Sequence, residues 1–367
     1  MGANILSAVP SRFLEMPGYE PIEPIDVLAL ELGIPEEQVL KLDGNENPFG
    51  SSPVVARALA AFPYYHIYTD PEQRILRRAI AQYIKVDAAG VVCGAGADDL
   101  LDIIGRMFIR EGTKVVSCPP TFGMYTFIAS LYGGRFVAVE RHSDFSLDMG
   151  QMDDVLRDGR SIVFLASPNN PTGNPLSRNE VEQLLATNAT VVIDEAYVEF
   201  GGESFVEMIS RHDNLIIIRT FSKWAGLAGL RIGYAVMATA LAEVALKTKM
   251  PYNLNAAAQV AVLASLADTQ TLMERVRLLV AERDRLFDAL SATSWLKPWP
   301  SQGNFLLCAI QGAPAKEVWS RLREQGILVR YFDTPQLRHC LRFTVGKPEQ
   351  SKRLLGALEE IGASFAR

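Results

Sequence analysis

The chain has 367 residues, more than one ordinary hydrophobic core accommodates, and this length predicts two domains. Hydrophobic residues make up 49% of the chain, so a large core can be buried, and the mild formal charge of −6 argues against a nucleic-acid-binding surface. The cysteines Cys93, Cys118, Cys308 and Cys340 form no CxxC pair and no metal-ligand spacing with histidine. We therefore expect buried thiols, which are compatible with a reducing compartment, and no metal site.

The N-terminal stretch lacks the charged start, apolar core and small-residue cleavage site of a signal peptide. The best apolar helix candidate, 256–267, is too short to cross a bilayer. We therefore expect a cytoplasmic protein that binds neither a membrane nor nucleic acid.

Residues 1–44 are rich in proline, which forbids a long continuous element. This segment is predicted to be an arm that packs over another part of the protein, with one short helix near 25–32. A disordered tail is the alternative, which the many apolar residues of the segment disfavour.

From about residue 70, helices with one apolar face alternate with short β-branched runs. The runs lack polar alternation, as expected of strands covered on both faces, and their alternation with helices predicts a mostly parallel sheet in an α/β protein. The predicted strands are 91–93, 114–118, 135–139, 162–166, 190–193, 215–219 and 232–237, and the predicted helices are 75–83, 100–108 and 123–131.

Two long helical patterns follow, at 255–267 and 271–290, and beyond residue 300 the composition becomes mixed. The elements predicted there are strands at 304–309, 327–330 and 340–344 and helices at 315–324 and 349–361. We therefore predict a large domain at 46–259, with the N-terminal arm 1–45 and a smaller α/β domain at 260–367.

Polar residues follow four of the predicted strands, where open α/β sheets bind their ligands. The stretches are GAGAD (94–98), SPNNPTG (167–173), DEAY (194–197) and SK (222–223). We expect a glycine loop, an amide, a carboxylate and an amine to converge on one crevice.

Each of these features has a structural alternative when it is considered alone. The loop 94–98 suits an anion at a helix N-terminus, but a plain left-handed turn also explains it, and it is not a GxGxxG dinucleotide motif. Asp194 could cap a helix, bind a metal or pair with a ring nitrogen. Lys223 could be a snorkelling surface residue or a nucleophile, and Arg231 could form an ordinary salt bridge.

Taken together, the stretches NPTG (170–173), DEAY (194–197) and SK (222–223) with Arg231 resemble the signature of fold type I pyridoxal-phosphate aminotransferases. Their order and spacing agree, and the resemblance extends over nearly the whole chain. Within these enzymes the sequence is most similar to the histidinol-phosphate aminotransferase family. The stretches that carry this similarity are LDGNENP (42–48), PTFGMY (120–125), SPNN (167–170), PYN (251–253) and LRFTVG (341–346).

The resemblance implies a fold type I architecture, with a seven-stranded, mostly parallel sheet in the large domain, and pyridoxal 5′-phosphate as the cofactor. Lys223 would bind the cofactor covalently and shuttle a proton, and Asp194 would pair with the pyridine nitrogen. The other implied cofactor-binding residues are Gly96, Ala97, Asp98, Ser222 and Arg231 at the phosphate, Asn170 and Tyr197 at the phenolic oxygen, Tyr125 stacked on the ring, and Tyr68 from the neighbouring subunit of a homodimer.

By the same resemblance, the small-molecule substrates are L-histidinol phosphate, which gives its amino group, and 2-oxoglutarate, which receives it, in histidine biosynthesis. Arg342 would take the carboxylate of glutamate, because the planar fork of arginine matches such oxygens. The implied substrate-binding residues are Tyr19, Asn47, Tyr252, Asn253, Arg330 and Arg342.

Four positions depart from the pattern of this family. Ala97 stands where serine is common, Thr69 replaces a frequent proline and Phe122 replaces a tyrosine. Trp224 fills a position that is usually small, which predicts a narrower cleft.

Three other functions remain open at this point. An aromatic amino-acid aminotransferase would need no phosphate clamp, and a threonine-phosphate decarboxylase would need no oxo-acid acceptor. A binding module without turnover is the third, and the intact set of lysine, aspartate and asparagine argues against it.

Overall fold

The computed structural model describes residues 5–16, 18 and 22–365. The strands of these residues are β1 (Leu40–Leu42), β2 (Val91–Gly94), β3 (Lys114–Ser117), β4 (Arg135–Ala138), β5 (Ser161–Ala166), β6 (Thr190–Asp194), β7 (Leu215–Thr220), β8 (Gly233–Met237), β9 (Leu296–Pro298), β10 (Phe305–Ile310), β11 (Ile327–Tyr331) and β12 (Cys340–Thr344).

The α-helices of the same residues are α1 (Ser11–Glu15), α2 (Ile25–Leu32), α3 (Pro53–Ala61), α4 (Arg74–Ile84), α5 (Ala97–Phe108), α6 (Met124–Leu131), α7 (Met149–Leu156), α8 (Arg178–Leu185), α9 (Thr239–Thr248), α10 (Ala256–Ala267), α11 (Thr269–Ser291), α12 (Ala315–Glu324) and α13 (Pro348–Phe365).

A seven-stranded sheet forms the centre of the fold, in the order β2-β8-β7-β6-β5-β3-β4. All neighbours pair in parallel except β8, which is antiparallel to both β2 and β7. The structure therefore confirms the predicted α/β class and the mostly parallel seven-stranded sheet.

Apolar side chains cover both faces of this sheet. Along β7, Ile216 and Ile218 pack into a cluster with α5, α6 and α9, whereas Leu215 and Ile217 pack into a cluster with α7 and α8. Successive side chains of a strand point to opposite faces, so a strand between two helical layers must be apolar throughout. This packing is the reason why β7 reads as a continuous apolar run in the sequence.

A second sheet has five strands in the order β1-β11-β12-β10-β9. Strand β1 comes from the N-terminal part of the chain and pairs in parallel with β11, while the other neighbours pair antiparallel. An apolar cluster behind the sheet joins α11, α12 and α13 to these strands. The domain boundaries given above stay predictions.

The strands β1 and β9 were missed by sequence patterning, as were the helices α1, α3, α7, α8 and α9. Both strands are only three residues long and lie at the edges of the second sheet, and β9 ends in Pro298. Such short edge strands carry no periodic signal. Helix α3 does carry a local signal, because Ser52 accepts a hydrogen bond from the Val54 N–H and Pro53 occupies the first turn.

Candidate active site

The carboxyl ends of β5, β6 and β7 lie side by side and bring the predicted polar residues together. In the register of the sheet, Ala166 lies opposite Asp194, and Asp194 lies opposite Ile218. The segment after β5 carries Asn170, and the segment after β7 carries Lys223. These ends form the crevice at which parallel α/β sheets bind ligands.

Lys223 is a partly buried amine in this crevice. Its Nζ donates a hydrogen bond to the Gly44 carbonyl at 2.9 Å and lies 5.9 Å from the centroid of the Tyr197 ring. Burial and the positive charge of Arg342 lower the pKa of Lys223 to about 8, although Glu46 opposes this shift. A lysine with such a pKa is deprotonated more often than a surface lysine at neutral pH, which makes it a better nucleophile and base.

The carboxylate of Asp194 is 95% buried at the end of β6, since the residue exposes only 5% of its surface. Its Oδ2 accepts a hydrogen bond from the Tyr125 hydroxyl at 3.1 Å, and its Oδ1 accepts one from the Ala196 N–H at 3.0 Å. Burial raises the pKa of Asp194 to about 6, while these hydrogen bonds act in the opposite direction.

Tyr125 lies behind Asp194, in a place that the sequence did not indicate. Its side chain is buried, its ring stacks on Phe164 with centroids 5.5 Å apart, and its hydroxyl contacts the carboxylate. The stacking of Tyr125 on a cofactor ring stays a prediction, and its hydrogen bond to Asp194 is the contact that sequence reasoning missed. No motif signals a pairing between residues so far apart in the chain.

The N-terminus of α5 forms a cradle with the predicted phosphate-binding residues. Gly96 precedes the helix with φ of +89° and no side-chain cap, and a Cβ there would lie 2.7 Å from Nη2 of Arg231. Arg231 also pairs with Asp98 at 2.8 Å. Exposed N–H groups at a helix start and a nearby guanidinium are suited to an anion.

Two other predicted residues complete this end of the crevice. Strand β8 approaches the start of α5 closely at Gly233. A Cβ atom at this position would lie only 3.1 Å from the backbone nitrogen of Ala97. Ser222 is buried, and its Oγ accepts a hydrogen bond from the Thr220 hydroxyl at 2.9 Å.

Arg342 and Tyr197 both form hydrogen bonds with the segment that follows β1, and Arg342 also contacts Asn170. Arg342 donates to the Asn170 side-chain oxygen at 2.6 Å and to the Asp43 carbonyl. The Asn45 amide donates to the Tyr197 hydroxyl at 3.0 Å. The structure therefore links a predicted substrate-binding residue directly to a predicted cofactor-binding residue.

Arg330 and Arg342 lie directly opposite each other on β11 and β12. Both guanidinium groups approach the ring of Phe332, at 5.6 and 5.8 Å from its centroid. Arg330 makes no ion pair with any residue that the structure describes. Like charges on opposite positions of neighbouring strands are unfavourable, so this pair is suited to a bound anion.

Asn253 and Asn47 make hydrogen bonds within the fold, and their contacts with substrate stay predictions. Asn253 donates to the Cys93 carbonyl and to Asp99, and its oxygen accepts from Gln73. Asn47 donates to the Trp224 carbonyl at 3.0 Å and accepts from the Phe49 N–H at 3.0 Å.

Tyr68 and Tyr252 lie on the surface and stack on each other, with centroids 4.5 Å apart. Tyr68 is 80% exposed. Tyr19, the remaining predicted substrate-binding residue, lies outside the described residues.

The narrower cleft that Trp224 predicts is not found. Its side chain is fully buried and stacks on Tyr83 with ring centroids 5.4 Å apart. The indole therefore fills the core beneath the lysine rather than the crevice.

Residues 37–358 match the family model described as aminotransferase class I and II. The histidinol-phosphate aminotransferase of Roseiflexus castenholzii is 46% identical over 98% of this chain and 100% of its own length. The structure of histidinol-phosphate aminotransferase from Sinorhizobium meliloti in complex with pyridoxal-5′-phosphate superposes with a TM-score of 0.88, at 28% identity, over 96% of this chain and 97% of that chain.

The fold alone is also shared with L-threonine-O-3-phosphate decarboxylase from Porphyromonas gingivalis, with a TM-score of 0.78 at 23% identity over 88% and 99% of the two chains. The chain described here belongs to the class I and II aminotransferase family.

Neither a metal-binding cluster nor a membrane-crossing helix is present in the described part of the chain. No group of histidine, cysteine, aspartate and glutamate within residues 5–16, 18 and 22–365 is arranged to hold a metal ion. Across the same part of the chain, no helix combines the length and the apolar character that a bilayer crossing requires.

We expect Asp194→Asn to stabilise the ligand-free protein at alkaline pH. The folded-state pKa of Asp194 is raised to about 6, so the stability that the neutral acid contributes is present below about pH 4 and lost as the pH rises through 6. Removing the charge should therefore raise the free energy of unfolding by about 3 kcal/mol at pH 8 and hardly change it at pH 4.

Chemical denaturation of the apoprotein at both pH values measures this difference. Asp213→Asn, at an exposed position, is the control and should change nothing. A loss of stability in Asp194→Asn at pH 8 would show that the hydrogen bonds of the ionised carboxylate outweigh its desolvation.

Proposed function

We propose that the chain is a pyridoxal-phosphate-dependent aminotransferase that exchanges the amino group between L-histidinol phosphate and 2-oxoglutarate, giving imidazole acetol phosphate and L-glutamate in histidine biosynthesis. The observation that carries this proposal is the convergence of Lys223, Asp194 and the anion-binding start of α5 on one edge of the sheet. The named relatives support the choice of substrate.

The residues of the crevice fit pyridoxal phosphate. Gly96 leaves room beside Arg231 that a Cβ would fill, as a phosphate cradle requires, and Asp194 offers a buried carboxylate to the pyridine nitrogen. Asn170 and Tyr197 supply an amide and a hydroxyl for the phenolic oxygen. When bound, the cofactor supplies an electron sink for the carbon that carries the amino group.

Lys223 carries out the proton transfers in this proposal. Its Nζ would hold the aldehyde carbon of the cofactor covalently, with water as the leaving group, until the amine of the substrate displaces it. The freed amine of Lys223 would then take the proton from the substrate carbon. The lowered pKa favours the neutral amine that both tasks need. Release of the Gly44 carbonyl frees the Nζ to move.

Arg330 and Arg342 provide the substrate anion site. The same two guanidinium groups can take the phosphate of histidinol phosphate in one half-reaction and a carboxylate of 2-oxoglutarate in the other. An aromatic amino-acid aminotransferase would need no phosphate clamp for its amine donor, so the pair of arginines favours a phosphorylated substrate. A threonine-phosphate decarboxylase would use the same two arginines for its phosphate. It differs from the proposed aminotransferase because it needs no oxo acid as acceptor.

The exposed apolar side chains near residue 68 support a homodimer. Tyr64, Tyr65, Ile67 and Tyr68 are each at least half exposed, in one continuous stretch. A surface of this kind marks a protein interface. In the proposed dimer, Tyr68 reaches the cofactor phosphate of the neighbouring subunit. The proposed domains are 46–259 and 260–367, the latter with the arm 1–45.

A panel of amine donors with 2-oxoglutarate tests the reaction. We expect rapid glutamate formation with histidinol phosphate and slower formation with histidinol, phenylalanine or threonine phosphate. Lys223→Ala should abolish turnover while cofactor still binds noncovalently, whereas Lys247→Ala, at an exposed position on α9, should retain full activity. Turnover of threonine phosphate without an oxo acid would favour the decarboxylase, and the absence of turnover a binding module.

Arg330→Gln should weaken the binding of phosphorylated substrate. Losing charge-assisted hydrogen bonds to a phosphate should raise the KM for histidinol phosphate about tenfold or more. Steady-state kinetics with histidinol as a second donor provide the comparison, because a substrate without phosphate should lose much less. Arg338→Gln, which removes an exposed arginine, is the control. Equal losses for both donors would contradict the assignment of Arg330.

Mixing two inactive variants tests the role of Tyr68 across the dimer. The Tyr68→Ala subunit still has Lys223, and the Lys223→Ala subunit still has Tyr68. A heterodimer of the two therefore contains one complete site if Tyr68 acts in the site of the neighbouring subunit. Random exchange in a two-fold dimer should then restore roughly a quarter of wild-type activity. Activity that stays at the sum of the separate variants would place Tyr68 in its own subunit's site.

A further inference from the structure

The hydrogen bond between Tyr125 and Asp194 joins helix α6 to the end of strand β6. The hydroxyl lies 3.1 Å from Oδ2 of the carboxylate. The ring is held from both directions, since it stacks on Phe164 of β5 and meets Phe122 edge-on with centroids 5.8 Å apart. Only 1% of Tyr125 is exposed, so the hydroxyl has little freedom to turn elsewhere.

The surroundings of Asp194 disfavour a negative charge apart from two hydrogen bonds. The charged groups that face it are Asp98 on α5 and the adjacent Glu195, both acidic, and burial adds a larger cost. Against these stand the Ala196 N–H and the Tyr125 hydroxyl. Hydrogen bonds donated to a buried carboxylate favour its ionised form.

Tyr125 is suited to be a lasting donor. Burial and the neighbouring carboxylate raise its pKa well above the ordinary value, so the phenol keeps its proton throughout the working pH range. Tyr197 also raises the pKa of Tyr125, whereas the positive charge of Arg141 lowers it.

We propose that Tyr125 is a positioning residue that keeps the carboxylate of Asp194 ionised and fixed in orientation, ready to pair with a protonated pyridine nitrogen. This inference rests on the proposed function, which makes Asp194 the partner of that nitrogen. Tyr125 would act on Asp194 through the hydrogen bond that its hydroxyl donates to the carboxylate.

The test is the affinity of the apoenzyme for pyridoxal phosphate as a function of pH. Without the hydroxyl, Tyr125→Phe should move the acid limb of this affinity upward by about one pH unit. The ratio of wild-type to variant affinity should then be about five at pH 6 and within about twofold of one at pH 9. The phenyl ring keeps the packing against Phe164.

Tyr132→Phe is a matched control at the end of the same helix. It removes a tyrosine hydroxyl that donates to the carboxylate of Asp102 at 2.6 Å, outside the crevice, and its affinity ratio should stay at one from pH 5 to 9. As a second variant that preserves the fold, 3-fluorotyrosine at position 125 is a more acidic donor and should move the acid limb to lower pH.

The outcomes are separable. A ratio for Tyr125→Phe that is the same at every pH, whether equal to one or larger, overturns the positioning role, since a purely structural loss does not follow the titration of a carboxyl. If wild-type protein itself fails to bind the cofactor, the proposed function fails and this inference falls with it.

Discussion

The parallel pairing of β5, β6 and β7 is the constraint on which the crevice depends. The ladder continues past the strands, because the Ser167 N–H donates to the Asp194 carbonyl and the Glu195 N–H donates to the Ile218 carbonyl, at 2.9 and 2.8 Å. A buried ion pair at 2.8 Å joins Glu195, which follows β6, to Arg219 on β7. A shift of one residue in this register would turn Asp194 to the other face of the sheet.

Burial at this edge acts on the two ionisable groups with opposite sign. It lowers the pKa of Lys223 to about 8 and raises the pKa of Asp194 to about 6, so it favours the neutral form of both. The proposed function needs different protonation states of the two groups, because an amine must be neutral to attack and a carboxylate must be charged to pair with a cation. The neighbours supply the difference: Arg342 adds to the effect on the lysine, whereas Tyr125 and Ala196 oppose the effect on the aspartate.

The sequence predicts the large sheet and the convergence of its polar strand ends because both follow from simple periodicity. A strand covered on both faces, such as β7, is apolar along most of its length, here from Leu215 to Ile218, and the residues after its end lie at the crevice. For a residue outside a helix or strand, the periodicity of the sequence does not predict the direction of the side chain. Trp224 follows Lys223 directly and yet points into the core, where it stacks on Tyr83.

The same limit applies to the amides and to the second sheet. The hydrogen bonds of Asn47 and Asn253 to nearby backbone could not be predicted from the sequence. Strand β1 is too short to show a pattern, so its pairing with β11 could be found only in three dimensions. That pairing matters for the site, because it brings the segment after β1 to Arg342.

The charged groups around Arg342 bear on the anion site that we propose for it and Arg330. The Asp43 carbonyl accepts a hydrogen bond from Arg342. The carboxylate of the same residue pairs with Lys41 at 2.5 Å. Arg330 and Arg342 carry like charges on opposite positions of β11 and β12. Their mutual repulsion favours the bound state of any ligand that brings a negative charge between them.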